Sequence, residues 1–254
     1  MTDAQLLSQN YEYIGLSNFV SIFSDTVFRK AVWNTTYYAF MTTILGTFLA
    51  LILAIFLNPI RYGNNFLRLL FFLPQITSAI AIATIWLWLF QARFGLLNYG
   101  LKLIGLEPIP WLIDPKYALN SLILMALWGG VGYSSIIFIA GIRGIPNSYY
   151  EAASLDGANR LQMNIHITLP LLSRVISFVM ITGIIGSFQV FSQVFLMTRG
   201  GPLNATRTIS LMIYDFAFTR LRIGESAAMA VVLFLIVSVL TIAQLRLQRS
   251  DWEL

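Results

Sequence analysis

Glu151–Pro170 reads EAASLDGANRLQMNIHITLP, a polar island between two long apolar stretches. It is too polar to cross a bilayer, and its residues spell a short helix, a glycine break and a second short helix. Pro146 suits a helix N1 position, where its missing N–H costs nothing. Ala152, Ala153 and Leu155 continue that helix, and Gly157 suits the left-handed stop that follows it. Asn159 is placed to cap the second helix, whose Leu161 and Ile165 share one face. Two short amphipathic helices at a membrane surface form a rigid handle, one that a cytoplasmic partner can pull.

The rest of the chain explains why such a handle is needed. Of 254 residues, 57% are hydrophobic and 11% charged, and the mean hydropathy is +0.75. A soluble domain is roughly a quarter charged. The apolar residues fall in runs near the length that spans a bilayer, and the strict alternation of a membrane barrel is absent. An all-α polytopic membrane protein follows, because helices close their backbone hydrogen bonds within the segment. The net charge of +5 fits basic loops facing anionic headgroups. No Arg/Lys-rich run with interleaved aromatics calls for nucleic acid. With no cysteine and one histidine, disulfides, thiol catalysis and multi-histidine metal sites are excluded. The first 25 residues contain no clean apolar core of a secretory signal.

Five spans are expected, at about 31–57, 69–90, 118–142, 171–195 and 226–245. Ahead of them, Leu16, Phe19, Val20 and Phe23 recur at helical spacing, as in a helix lying along the membrane interface. Gly46, Ala50 and Ala54 make a small-residue face on the first span. Pro74 sits near the start of the second, and Trp86 and Trp88 near its end fit an interfacial belt. Gly129, Gly130 and Gly132 interrupt the third. Five spans place the N-terminus and the polar island on opposite sides. The island's side carries Arg61, Arg68, Arg143, Arg160, Arg174, Arg246 and Arg249, a denser set than the nine cations spread over the other side's longer loops. That bias favours a cytoplasmic island.

No phosphate-binding glycine loop of the Walker type is present, and no Ser/His/Asp set. Within the spans no Asp, Glu, Lys or Arg occurs except Arg174 at a helix start, which argues against a proton-coupled carrier. Energy for transport must then enter from outside the spans. The polar residues inside them are neutral, among them Gln75, Thr77, Tyr133, Ser134, Ser187, Gln189 and Gln193. Hydroxyls and amides beside aromatics suit a neutral, hydroxyl-rich solute. Taken singly, each serves equally well to bond a neighbouring helix.

With Glu151-Ala152-Ala153, Gly157, Ile167 and Leu169-Pro170 at these spacings, the island resembles the EAA loop of ABC importer permeases. Asp156-Gly157-Ala158 matches a common variant of it. The surroundings resemble the binding-protein-dependent sugar permeases of the maltose-transport-like branch. Gly15-Leu16-Ser17-Asn18-Phe19, Asn34-Thr35, Phe72-Leu73-Pro74, Gly95-Leu96-Leu97-Asn98, Ile145-Pro146 and Gly200-Gly201-Pro202 carry that likeness, from about residue 14 to about residue 232. The branch usually has six spans; this sequence begins just after where the first helix of that pattern should end, so either that helix is missing here or a five-span form is genuine.

The resemblance implies a type I ABC importer transmembrane fold over 1–254, not an enzyme, with a cytoplasmic coupling loop at 143–170. It implies that Glu151, Ala152, Ala153, Asp156, Gly157, Leu169 and Pro170 dock on an ATPase, Glu151 pairing with a basic group there. It implies a substrate pathway at Gly130, Tyr133, Ser187, Gln189 and Gln193, with Tyr133 the distinctive match. Thr198, Gly200, Gly201 and Pro202 are implied to face an external solute-binding protein. The implied partners are a second, homologous permease, two ATPase subunits that hold ATP and Mg, that binding protein and membrane lipid, with no nucleic acid. The chain itself is expected to bind no cofactor or metal. The expected location is a bacterial cytoplasmic (inner) membrane, and the expected cargo a sugar or oligosaccharide. The alternatives are the same machinery for glycerol phosphate or another polyol, and a stand-alone carrier or channel.

Overall fold

A computed structural model describes residues 13–58 and 64–249, and it contains no β-strand among them. Residues 1–12, 250–254 and the 59–63 part of the basic loop lie outside the described residues.

Helices start where the sequence supplies a cap. Asp25 accepts the Val27 N–H at 2.7 Å and opens α2, Thr26–Leu57. Asp114 accepts the Lys116 N–H at 2.8 Å and, with Pro115 at the first position, opens α6, Pro115–Arg143. Before α2, the short α1 (Ser17–Ser24) buries Asn18 and Ile22 and exposes Val20 and Phe23, with Leu16 exposed at its N-cap. That split is the one an interfacial helix needs.

The central pair is α2 against α6. Ala50 and Ala54 are fully buried against Phe138 and Ile139, so the small-residue face does pack a neighbouring helix closely. On the other flank of α6 lies α3 (Asn64–Ile76). The long α12 (Ile223–Arg249) closes over α1 and α11 (Ile209–Thr219). There Ile22, Phe28, Met212, Phe216 and Met229 form one core. By length and composition the described residues supply three single-helix spans and two bent pairs, up to five in all.

The bent pairs correct two of the expected spans. Residues 69–90 are not one helix: α3 gives way to α4 (Ala79–Leu89) with a bend of 98°. Pro74 has no N–H to close the turn below it, which weakens the helix just before the break. The Thr77 hydroxyl bonds the Leu73 carbonyl at 2.8 Å. Residues 171–195 are not one helix either. After a 65° bend at Leu172, α9 runs Ser173–Phe188, and α10 (Ser192–Met197) follows an irregular break in which Phe191 has φ −132 and ψ −60. The Thr208 hydroxyl bonds the Val190 carbonyl in that break at 3.3 Å. Non-helical backbone at membrane depth needs such a partner.

Between α6 and α9 lies the polar island. It forms α7 (Asn147–Leu155) and α8 (Arg160–Leu171), with a π-turn at Asn164–Thr168 inside α8. Pro146 stands one residue earlier than expected, as the N-cap of α7 and not its first helical residue. The amphipathic piece expected over residues 96–106 is α5, Leu96–Leu103.

Candidate functional site

Hydroxyl and amide side chains meet in a cavity of about 520 Å³ in the middle of the bundle. Four elements build its walls. Tyr38, Thr42, Thr43 and Thr47 come from α2, and Pro74, Gln75 and Thr77 from the α3–α4 bend. Gly129, Gly130, Tyr133 and Ser134 come from α6, and Gly183, Ser187 and Gln193 from α9 and the start of α10. Among the described residues no charged side chain lines it.

The cavity's polar groups are partly tied together. The Tyr38 hydroxyl donates to Gln193 Oε1 at 2.7 Å, and the Thr42 hydroxyl approaches Ser187 Oγ at 2.9 Å. Tyr133 is 45% exposed and its ring stacks on Phe72 at 6.5 Å, which leaves an aromatic surface toward the space. Gln193, two residues past the irregular backbone at 189–191, lines the cavity.

Gly130, Tyr133, Ser187 and Gln193 therefore share one wall system. Gln189 does not join them: it caps the end of α9, exposed and off the lining. Sequence reasoning missed the α2 contribution. Tyr38 and Thr42 stand four residues apart on a span read for its small residues and for Asn34-Thr35.

At the α7 end, the handle is held open by local chemistry. Gly157 has φ +80, and the bonds Gly157 N–H to Ser154 O and Ala158 N–H to Ala153 O close the helix in a Schellman arrangement. Asn159 Oδ1 accepts the Gln162 N–H at 2.9 Å, while Gln162 Oε1 accepts the Asn159 N–H at 2.8 Å, a reciprocal capping box. Ala153, Asp156, Gly157, His166 and Ile167 border a shallow groove of about 340 Å³ between the two helices. Glu151, Ala152 and Pro170 are exposed and Leu169 is half-buried. The Glu151 carboxylate has no ion pair among the described residues. Leu155 is 89% exposed, a large apolar side chain in water on a helix with no buried residue.

The loop after α10 is rigid by construction. Gly200 has φ +84, and Arg199, Leu203 and Asn204 also take positive φ. The Thr206 hydroxyl bonds the Gly201 carbonyl and lies 2.7 Å from that of Thr198. Asn34 on α2 donates to the carbonyls of Asn204 and Arg207, both at 3.0 Å, and Thr35 Oγ1 accepts the Ile209 N–H at 3.0 Å. Pro202 follows a cis peptide bond in this loop. So Thr198, Gly200, Gly201 and Pro202 lie together at the end of the bundle opposite α7. Among the described residues no three His, Cys, Asp or Glu side chains gather.

A family model described as "Binding-protein-dependent transport system inner membrane component" matches residues 22–250. The chain belongs to that family. Its members are membrane-embedded transport components, and this permease resembles several whose roles are named. It is 35% identical over 245 residues to the probable ABC transporter permease protein YurN of Bacillus subtilis, covering 95% of this chain and 84% of that one. It is 34% identical to the diacetylchitobiose uptake system permease protein NgcF of Streptomyces coelicolor, over 92% of this chain and 70% of that one. It is 32% identical to the sn-glycerol-3-phosphate transport system permease protein UgpA of Escherichia coli, over 94% and 81%. The fold matches a bacterial ABC transporter involved in alginate import with TM-score 0.86 and 24% identity, over 95% of this permease and 85% of that chain. The permease fold read from the island is thus the fold adopted.

Proposed function

We propose that this permease passes a neutral sugar or short oligosaccharide through the central cavity, handed over by an external solute-binding protein and driven by ATPases docked on α7 and α8. The observation that carries the cargo is the lining. Hydroxyls, amides and the Tyr133 ring, set among apolar side chains such as Met125, Leu127, Ile137 and Val179, line about 520 Å³, with no charged side chain among the described residues. Such groups bond sugar hydroxyls and cover C–H faces. A phosphate would find no cationic partner among this chain's described lining residues. That favours the sugar-handling relatives over the glycerol-phosphate one.

The handle sets the rest. Exposed Glu151, Leu155 and Gly157 offer a charge, an apolar knob and a tight turn to a partner's groove. ATP and Mg then belong to that partner, and this chain supplies the mechanical contact. Docking places the α7 end in the bacterial cytoplasm and the Gly200-Gly201-Pro202 loop outside, toward the binding protein. A second, homologous permease completes the pathway across the cavity's open side.

Reconstitution in proteoliposomes with the ATPases, the second permease and the binding protein tests both halves. Glu151→Ala is expected to lower ATP-driven uptake about ten-fold, the worth of one charge-assisted contact. Unlabelled neutral sugars are expected to compete for uptake while sn-glycerol 3-phosphate does not. Undiminished uptake by the variant would sink the docking reading, and competition by the phosphate alone would sink the cargo.

A further inference from the structure

We propose that Tyr150 is the positioning residue through which movement of α7 reaches the membrane helices, by way of its hydroxyl contact with Thr168. The inference rests on α7 being the surface that an ATPase moves.

α7 has no buried residue. Of its nine residues only Tyr150 and Ala153 are half-buried, and Ala153 faces the shallow groove toward α8. Tyr150 alone packs into the core beneath the handle, against the cluster of Ile142, Ile145 and Leu172. Its hydroxyl lies 3.0 Å from Thr168 Oγ1. Thr168 is 2% exposed and closes the π-turn Asn164–Thr168, just before the 65° bend into α9. Single π-turns are often found at functional sites.

The surroundings concentrate the load on this pair. A polar hollow of about 510 Å³ separates α7 from the ends of α2 and α6, and Tyr150 and Thr168 both border it. Both covalent routes out of α7 pass through short turns, Gly144–Pro146 on one side and Asp156–Asn159 on the other. A turn bends under load, whereas a ring seated in a core and hydrogen-bonded to a buried hydroxyl moves with what it is bonded to. The far end of α9 supplies Gly183 and Ser187 to the central cavity. A push on α7 thus has a packed path through Tyr150, Thr168 and α9 to the solute.

The bland alternative is a Tyr150 that only stabilises the handle. The ratio of solute-stimulated to basal ATP hydrolysis separates the two, because it reads transmission and not the amount of folded complex. In the complete reconstituted importer, Tyr150→Phe and Thr168→Val should each lower that ratio and uptake about three- to ten-fold, the worth of one hydrogen bond at a coupling point. The double variant should be no worse than Thr168→Val alone, which also loses the longer contacts of Thr168 Oγ1 with Met163 O at 3.5 Å and Asn164 Oδ1 at 3.4 Å, and Thr168→Ser should keep the wild-type ratio. Additive losses in the double variant, a Thr168→Ser defect equal to that of Thr168→Val, or lower complex recovery with an unchanged ratio would each overturn the proposal. A wild-type complex that solute does not stimulate overturns the docking reading, and this inference with it. A stimulated wild type with equally stimulated variants overturns this inference alone.

Discussion

Gly132→Ala should leave little folded permease, while Gly129→Ala and Gly130→Ala should fold normally. The three glycines sit within one turn of α6, yet their surroundings differ. A Cβ on Gly132 would lie 1.8 Å from the Phe71 carbonyl oxygen and 2.5 Å from its carbon, both backbone atoms of α3. A backbone carbonyl cannot rotate away as a side chain can, so α3 must retreat as a whole. Overpacking of this kind costs about 3 kcal/mol, a large share of a typical folding stability. A Cβ on Gly129 or Gly130 meets nothing within 4 Å, and alanine is the better helix former. Thermal unfolding of the detergent-purified permease, with recovery after size exclusion, checks the contrast. Equal midpoints for the three variants would show that α3 does not press on α6. Gly130 borders the cavity, so its variant also reports on uptake without a stability defect in the way.

Asn98→Leu should unfasten the segment between α4 and α6. Asn98 is 1% exposed and its amide is used completely. Its Nδ2 donates to the carbonyls of Ala92 and Ile109 at 3.0 and 2.9 Å. Its Oδ1 accepts the Ile109 N–H at 3.0 Å and the Trp111 indole N–H at 2.9 Å. Leucine has a similar volume and none of these bonds. Each buried group left without a partner costs about 1–3 kcal/mol, and part of that is recovered as water enters. A net loss of about 3–5 kcal/mol is expected. Trp111 also packs against Phe90, with ring centroids 5.5 Å apart, so the damage should spread into the outer core. Faster amide exchange across residues 92–111, with α7 and α8 unchanged, is the expected pattern. Wild-type protection there would show that the node carries no load. Gly95 belongs to the same construction: a Cβ there would lie 2.4 Å from the Gln91 carbonyl oxygen.

These two sites show what a single sequence displays and what it conceals. The handle was legible because its signals are local: Gly157 after a helix and Asn159 before one act within a turn of chain. The reciprocal partner Gln162, the π-turn at Asn164–Thr168 and the true place of Pro146 were not read. The spans were legible as lengths of apolar residues but not as straight or broken helices. Pro74 lies in plain view, yet whether a proline bends a membrane helix depends on which neighbours take up the freed groups. The break at 189–191 has no proline or glycine at all; its Val190 carbonyl is bonded by Thr208, eighteen positions away. Contacts of that range cannot be read from spacing. The same holds for the cavity. Tyr133, Ser187 and Gln193 could be named as polar residues in apolar helices, but Tyr38 and Thr42 join them only because α2 packs across both α6 and α9. Gln189 looked equivalent to Gln193 by residue type, but it sits exposed at the end of α9 while Gln193 lines the cavity.

The absence of charge around the cavity has an electrical consequence. Carrying one elementary charge across a membrane potential of 100 mV involves about 2.3 kcal/mol. Walls built from Tyr38, Thr42, Tyr133, Ser187 and Gln193 carry no such charge, so rearranging them displaces none. For the neutral cargo proposed above, passage along these walls carries no current, and the voltage that powers ion-coupled carriers neither helps nor hinders it.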